Sequence, residues 1–237
     1  PFEPNIPHHF AFRGADDVTY IVSAVLAARL AKRVGIRHLI LQVMLNTPKS
    51  TWGVQDLAKA RVLLRLVRAL ADDTFAVWTQ PRAGLDYFSA QPALAKAQLA
   101  AVSMLMDDIE PDDACSPDII HVVSYSEGSH LADPPVIDES VQITRAALQH
   151  YRRLRASGAV PHMGHDPSVE ARAAQLYDEA TTILRALEAH VPDLYSPAGL
   201  YRAFAAGFLP VPYLWRCRDE FPHACSWRTR VCNGGVT

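Results

Sequence analysis

The sequence predicts an α/β fold built around a parallel sheet. Short apolar runs alternate with longer segments of helical periodicity, the order expected of βαβ crossovers. The runs are apolar at successive positions, as in strands covered on both faces. About half of the 237 residues are apolar (49%), enough for the core of one α/β barrel or of one to two smaller domains.

Residues 1–15 read as a loop, with Pro1, Pro4 and Pro7 and the adjacent His8 and His9. Asp16 and Asp17 then offer an N-cap, an apolar stretch runs from Val18 to Leu30, and Gly35 supplies the residue that ends a helix. Arg37–Leu45 is the first strand, broken by Asn46-Thr47-Pro48-Lys49-Ser50. Leu57, Val62, Leu63, Leu66, Val67 and Leu70 share one face of a helix over Val54–Leu70. Phe75–Thr79 is a second strand, Pro81–Ser89 a loop, and Pro92–Met106 a helix by its Ala, Leu and Met content. After the acidic turn Pro111–Pro117, Ile119–Val123 is a third strand. Helices are expected from about Pro135 to Arg155, from the Asp166-Pro167 start to about His190, and from Ser196-Pro197 to near Gly207.

Three parallel strands do not close a barrel of eight. The expectation is an incomplete sheet, one that belongs to a longer chain or pairs with another. The opening residue, Pro1 rather than Met, fits a trimmed chain. One domain is expected over residues 1–237, with 191–237 as an irregular C-terminal extension.

Net charge is −2 and the arginines are scattered, which argues against a nucleic-acid binder. The four cysteines have no C-x-x-C spacing, and a chain of this length needs no disulfide scaffold, so a reducing cytoplasm is the default. No signal peptide opens the chain, and no apolar run has the length of a membrane span.

In parallel α/β folds, function collects at the C-terminal ends of the strands. Three loops qualify: Asn46, Thr47, Lys49 and Ser50; then Gln80, Arg82, Asp86 and Tyr87; then Ser124–His130 with Glu127. Arg82 is the natural anion binder, because a guanidinium grips a carboxylate through two parallel hydrogen bonds. Glu127 lies just past a strand and offers acceptor oxygens to a sugar. His121, inside an apolar strand, reads as a core histidine. His162-x-x-His165 and His8-His9 lack a third ligand at a defined spacing, so no metal site is assigned. No G-x-G-x-x-G, Walker A or G-x-S-x-G motif is present.

Read in order, several segments resemble one family. Pro1-Phe2-Glu3-Pro4, Val34-Gly35-Ile36 and Gln55-Asp56-Leu57-Ala58-Lys59-Ala60-Arg61 match, in order and approximate spacing, the P-F-x-P loop, the Gly-Val helix end and the Q-D-x-A-A-x-R helix of the barrel subunit (E chain) of adenosylcobalamin-dependent glutamate mutases. Ile120–Glu127 falls in the frame of the family's apolar strand and K-T-P-H-E loop, and Ile143-Thr144-Arg145 in that of its A-T-K helix. Ala203-Phe204, Gly207, Val211-Pro212, Arg230 and Asn233-Gly234 echo its closing segments. No single motif is specific; the weight lies in the collinear order across nearly the whole chain.

The resemblance implies a parallel (β/α) barrel of TIM type, incomplete in this chain and corresponding to the C-terminal portion of the barrel subunit. It implies methylaspartate mutase-like activity: radical interconversion of glutamate and 3-methylaspartate, or of a related amino acid. Adenosylcobalamin is held mainly by a small cobalamin-binding partner, because this chain lacks that partner's D-x-H-x-x-G signature. Glu127 corresponds to the glutamate that contacts the adenosyl ribose. Catalytic roles are expected for Glu127 and Arg82, and cofactor contacts for Glu127, Ser124, Asn46, Thr47 and Gln80. Val123 stands where the family has a lysine, Leu45 where it has the acid that contacts the substrate amine, and Pro81-Arg82-Ala83 replaces a His-Gln-Trp segment. A hetero-oligomer or a homodimer is expected, with no nucleic acid or membrane partner. The alternatives are a non-catalytic scaffold subunit and a cobalamin-independent barrel enzyme acting on an anionic metabolite.

Overall fold

A computed structural model describes all 237 residues. The helices and first strands follow the local signals closely. A short turn, α1 (Ile6–His9), precedes α2 (Asp17–Arg33), whose start is fixed by the Asp16 carboxylate accepting the Thr19 N–H at 2.8 Å. Gly35 ends that region at φ +85°, a backbone angle that side chains resist. Then come β1 (His38–Leu45), α3 (Gly53–Arg68), β2 (Ala76–Ala83), α4 (Pro92–Asp107), α5 (Pro134–Ala156), α6 (Pro167–His190) and α7 (Pro197–Ala205). Asp133, Asp166 and Ser196 cap α5, α6 and α7 through their side chains, each with proline in the first turn. Residues 191–237 also hold α8 (Pro222–Cys225) and a small antiparallel hairpin of β3 (Val231–Cys232) and β4 (Gly235–Val236).

The expected barrel is not formed. More than half of the chain is helical and about a tenth is strand, and the main sheet has two parallel strands, β1 and β2, paired from His38 opposite Ala76 to Leu45 opposite Ala83. Single parallel bridges extend it at each edge, Phe2 to Leu39 and His121 to Arg82. The expected third strand, Ile119–Val123, donates from Ile119 N–H to the Thr79 carbonyl and from His121 N–H to the Pro81 carbonyl, but little comes back. On that edge of β2 the Thr79 N–H is taken by the Asp118 carboxylate at 2.7 Å, and Pro81 has no N–H to give. A ladder cannot propagate through two consecutive missing donors.

The two faces of the sheet differ. Leu39, Leu41, Val43 and Leu45 of β1 and Ala83 of β2 enter the main apolar core with Tyr20, Ile21, Val25, Leu63 and Val67 of α2 and α3. The alternate residues Ile40, Gln42 and Met44, with Trp78, Gln80 and Arg82, form the opposite face. The chain's first residues lie over that face: the Glu3 carboxylate accepts from Gln42 Nε2. Burying about ten large apolar side chains on the core face, each at roughly 1.5–3 kcal/mol, is what allows the other face to remain polar. No helix is long and apolar enough to cross a membrane, and all four cysteines are unpaired.

Candidate functional site

The opposite face of the sheet gathers a chain of polar groups. Gln42 and Gln80 sit in register on β1 and β2, with Gln42 Nε2 3.3 Å from Gln80 Oε1. Gln80 Oε1 lies 3.4 Å from His121 Nδ1, and His121 is bridged to Arg82. An amide oxygen only accepts, so His121 Nδ1 must carry the proton and Nε2 is left as an acceptor. Burial lowers the pKa of His121, and the neighbouring Arg82 charge lowers it further. Burial likewise lowers His8, with Arg82 and His121 adding to the effect. Both rings are therefore neutral at pH 7.

Arg82 is the unusual member. It is buried, at 6% exposure, yet no carboxylate lies within ion-pair distance. Its one hydrogen bond within the protein is a long contact from Nε to the Ala83 carbonyl at 3.5 Å. Burial depresses its pKa, and Glu127 and then Glu3 offset this only from a distance. A buried cation normally has a partner, because desolvating it costs several kcal/mol. Two nearby acceptors are also unsatisfied: Gln42 Oε1, on the same face, and Asn46 Oδ1, at the C-terminal end of β1, are buried without a hydrogen bond. Native interiors hold few such groups, and each calls for an explanation. An anionic ligand on Arg82, offering donors to the two amide oxygens, supplies one.

The remaining expected site residues fall around this face. Asn46 adopts φ +55° and gives its backbone N–H to Asp56 at 2.7 Å, so its main chain is fixed while its side chain is not. Thr47 is buried, with Oγ1 3.3 Å from Asp86. Gly84 is required there, since a Cβ would lie 1.5 Å from Thr47 Oγ1. Ser124 gives its N–H to Glu127 at 3.1 Å, and its hydroxyl lies within 3.4 Å of Ser126 and 3.3 Å of Ser140. Glu127 is exposed, and its second carboxylate oxygen has no partner. The structure thus brings Gln80 and Arg82 together and sets Glu127 across from Arg82; Thr47 is committed to Asp86, and Ser124 to its own turn.

Two expectations change. Gln80 and Arg82 are strand residues and not loop residues, because β2 continues through Pro81 to Ala83. His121 belongs to the polar cluster and not to the core. Gln42 and Glu3 were not singled out as site residues from sequence, and His8 was weighed only as half of the His8-His9 pair. The one available signal was Gln42, a lone polar residue inside the apolar run Leu39–Leu45. His162 and His165 pair with Asp112 and Glu170 at 3.2 and 3.4 Å at the surface start of α6.

On the core side of β1 lies a second polar cluster with the opposite character. Lys59, 2% exposed, bonds Asp56 at 3.0 Å and lies 3.5 Å from Asp17; Arg172 reaches Asp17 at 3.2 Å. The remaining carboxylate oxygen capacity is filled by the Asn46 and Val236 N–H groups and by Thr51 Oγ1. Burial alone would lower the Lys59 pKa, but Asp56 and Asp17 outweigh it and hold the ammonium charged. Burial pushes the Asp56 carboxyl upward, with Lys59 opposing it; the two acids and two bases close on one another there, pinning the loop after β1 and the C-terminal hairpin to α2, α3 and α6.

Comparison with known proteins adds no assignment: no family model and no curated protein matches this chain.

Proposed function

We propose that the Arg82 face binds a small metabolite through its carboxylate, and that the chain is the substrate-side subunit of an adenosylcobalamin-dependent carbon-skeleton mutase acting on glutamate or a related amino acid. The observation that carries the reading is Arg82, a buried guanidinium with no counter-ion, beside unsatisfied Gln42 and neutral His121. The collinear segments described above supply the reaction class. The residues present fit the cofactor's adenosyl group: Glu127 has one carboxylate oxygen fixed by the Ser124 N–H and one free for a ribose hydroxyl, and the Asn46 side-chain oxygen is buried and unpartnered. When bound, adenosylcobalamin supplies a carbon-centred radical, and the protein's task is to position and shield it.

The roles of this chain's own residues follow. Arg82 anchors the substrate carboxylate in a site of low dielectric, where the attraction is stronger than in water. Gln42 and Gln80 fix its orientation. His121, neutral and tautomerically set by Gln80, presents Nε2 as an acceptor. Val123 and Leu45 are fully buried, so neither position brings charge to the substrate. That difference from the family favours an amino acid other than glutamate or, as a second reading, an anionic metabolite handled without cobalamin.

The test is a titration of adenosylcobalamin into the chain with and without a cobalamin-binding small subunit, followed by visible absorbance. Saturable change that needs both proteins supports the mutase reading. No change, with carboxylate binding at Arg82 intact, transfers support to the cobalamin-independent one.

A further inference from the structure

The short helix α1 separates two regions. His8 faces Arg82 and His121, whereas His9 and Phe10 line a different cleft of about 370 Å³ against α7 and the following segment. This volume lies in the range of small-molecule sites. Its walls are aromatic. Phe10 stacks on Phe204 with ring centroids 6.2 Å apart and meets Tyr213 edge-on at 6.4 Å; Tyr201 and Phe221 pack at 5.4 Å on the other side.

One charge stands at the rim without a partner. The Arg13 guanidinium lies 5.9 Å from the Tyr213 ring centroid, is exposed, and makes no hydrogen bond or ion pair. Neither acid nearby pairs with it: Asp16 caps α2 by accepting the Thr19 N–H on Oδ1 and keeps its Oδ2 buried without a partner, and Glu220 lies beside the Tyr201 hydroxyl, holding that phenol's pKa up. Aromatic walls favour a flat ring system, since offset and edge-to-face contacts between rings add to the gain from area burial. A free guanidinium at the mouth selects an anionic substituent on that ring.

We infer that this cleft is a second ligand site, for a planar aromatic anion, independent of the Arg82 face. The probe is 2-naphthoate, with neutral 2-naphthalenemethanol as its uncharged counterpart, each titrated calorimetrically into the whole chain. The expected result is saturable one-to-one binding of 2-naphthoate, about tenfold weaker binding of the neutral compound, and about tenfold weaker naphthoate binding by Arg13→Gln. Arg13 is exposed, so this variant folds. Leu214→Trp, which narrows the cleft, should remove binding of both compounds while the far-ultraviolet circular dichroism stays unchanged. Arg82→Gln should leave naphthoate affinity as it is. The inference is overturned if 2-naphthoate does not bind saturably, if Arg13→Gln leaves its affinity unchanged, or if Arg82→Gln is the variant that loses it.

Discussion

The two polar clusters on either side of β1 are built from the same kinds of residue and end in opposite states. On the core side, Asp17, Asp56, Lys59 and Arg172 neutralise one another and the two carboxylates accept three backbone or hydroxyl donors, with Arg172 Nε the one group left unpaired. On the far side, Arg82 has no counter-ion and Gln42 leaves its oxygen unpaired. Neutralised buried charge locks chain segments together; unneutralised buried charge is a standing cost that a ligand can relieve. The closed cluster also steadies the open one, since the Asn46 N–H on Asp56 fixes the loop at the end of β1.

The comparison breaks most visibly under substitution. Lys59→Met leaves Asp56 buried with no cation in contact and should destabilise by about 3–5 kcal/mol, read as a lowered midpoint in urea. Arg82→Met removes a cation that has no partner and should stay within about 1 kcal/mol of the parent, while carboxylate binding is lost. Equal costs for the two would mean that Arg82 is held by contacts equivalent to those of Lys59, and the contrast would be gone.

A smaller effect sits in the pH dependence. His8 and His121 have folded pKa values below 6.5, so between those lowered values and 6.5 the unfolded chain binds more protons than the folded one. Their contribution to stability is therefore complete above pH 6.5 and is lost as the pH falls through that window. His121→Asn should flatten the slope of unfolding free energy against pH by up to about 1.4 kcal/mol per unit; an unaltered slope would place His121 outside the cluster. The smallest stability effect is expected for Glu127→Ala. This exposed side chain should cost no more than about 0.5 kcal/mol, yet on the mutase proposal the turnover measured with a cobalamin-binding partner should disappear. A variant that unfolds would make Glu127 a structural residue.

Much of the helical framework was legible because its signals are local. Asp16, Asp166 and Ser196 announce helix starts, and Gly35 announces an end, within a few residues of the structure they cause. The sheet was misjudged where the cause is distant or negative. Nothing near Ile119–Val123 shows that Asp118 takes the Thr79 N–H, or that Pro81 leaves the edge of β2 without its next donor. Pro81 also hid the length of β2, because a proline reads as a break although an edge strand accepts it. The candidate site was half visible. Arg82, Gln80 and Glu127 stood out by type and position, but Glu3, His8 and Gln42 join them only through folding. The closed cluster was invisible as a unit, since Asp17 read as a second capping residue and Arg172 lies on α6, far along the chain.

The most direct test of the Arg82 site is the side-chain Nε–Hε resonance of Arg82 in nitrogen-15-labelled protein, followed during titration with L-glutamate and then with 3-methylaspartate. A saturable shift of that resonance, absent in Arg82→Gln and preserved in Arg13→Gln, is the expected result. A resonance that stays fixed across the titration of the folded protein would contradict the assignment of the unpaired guanidinium as the anchor for a carboxylate.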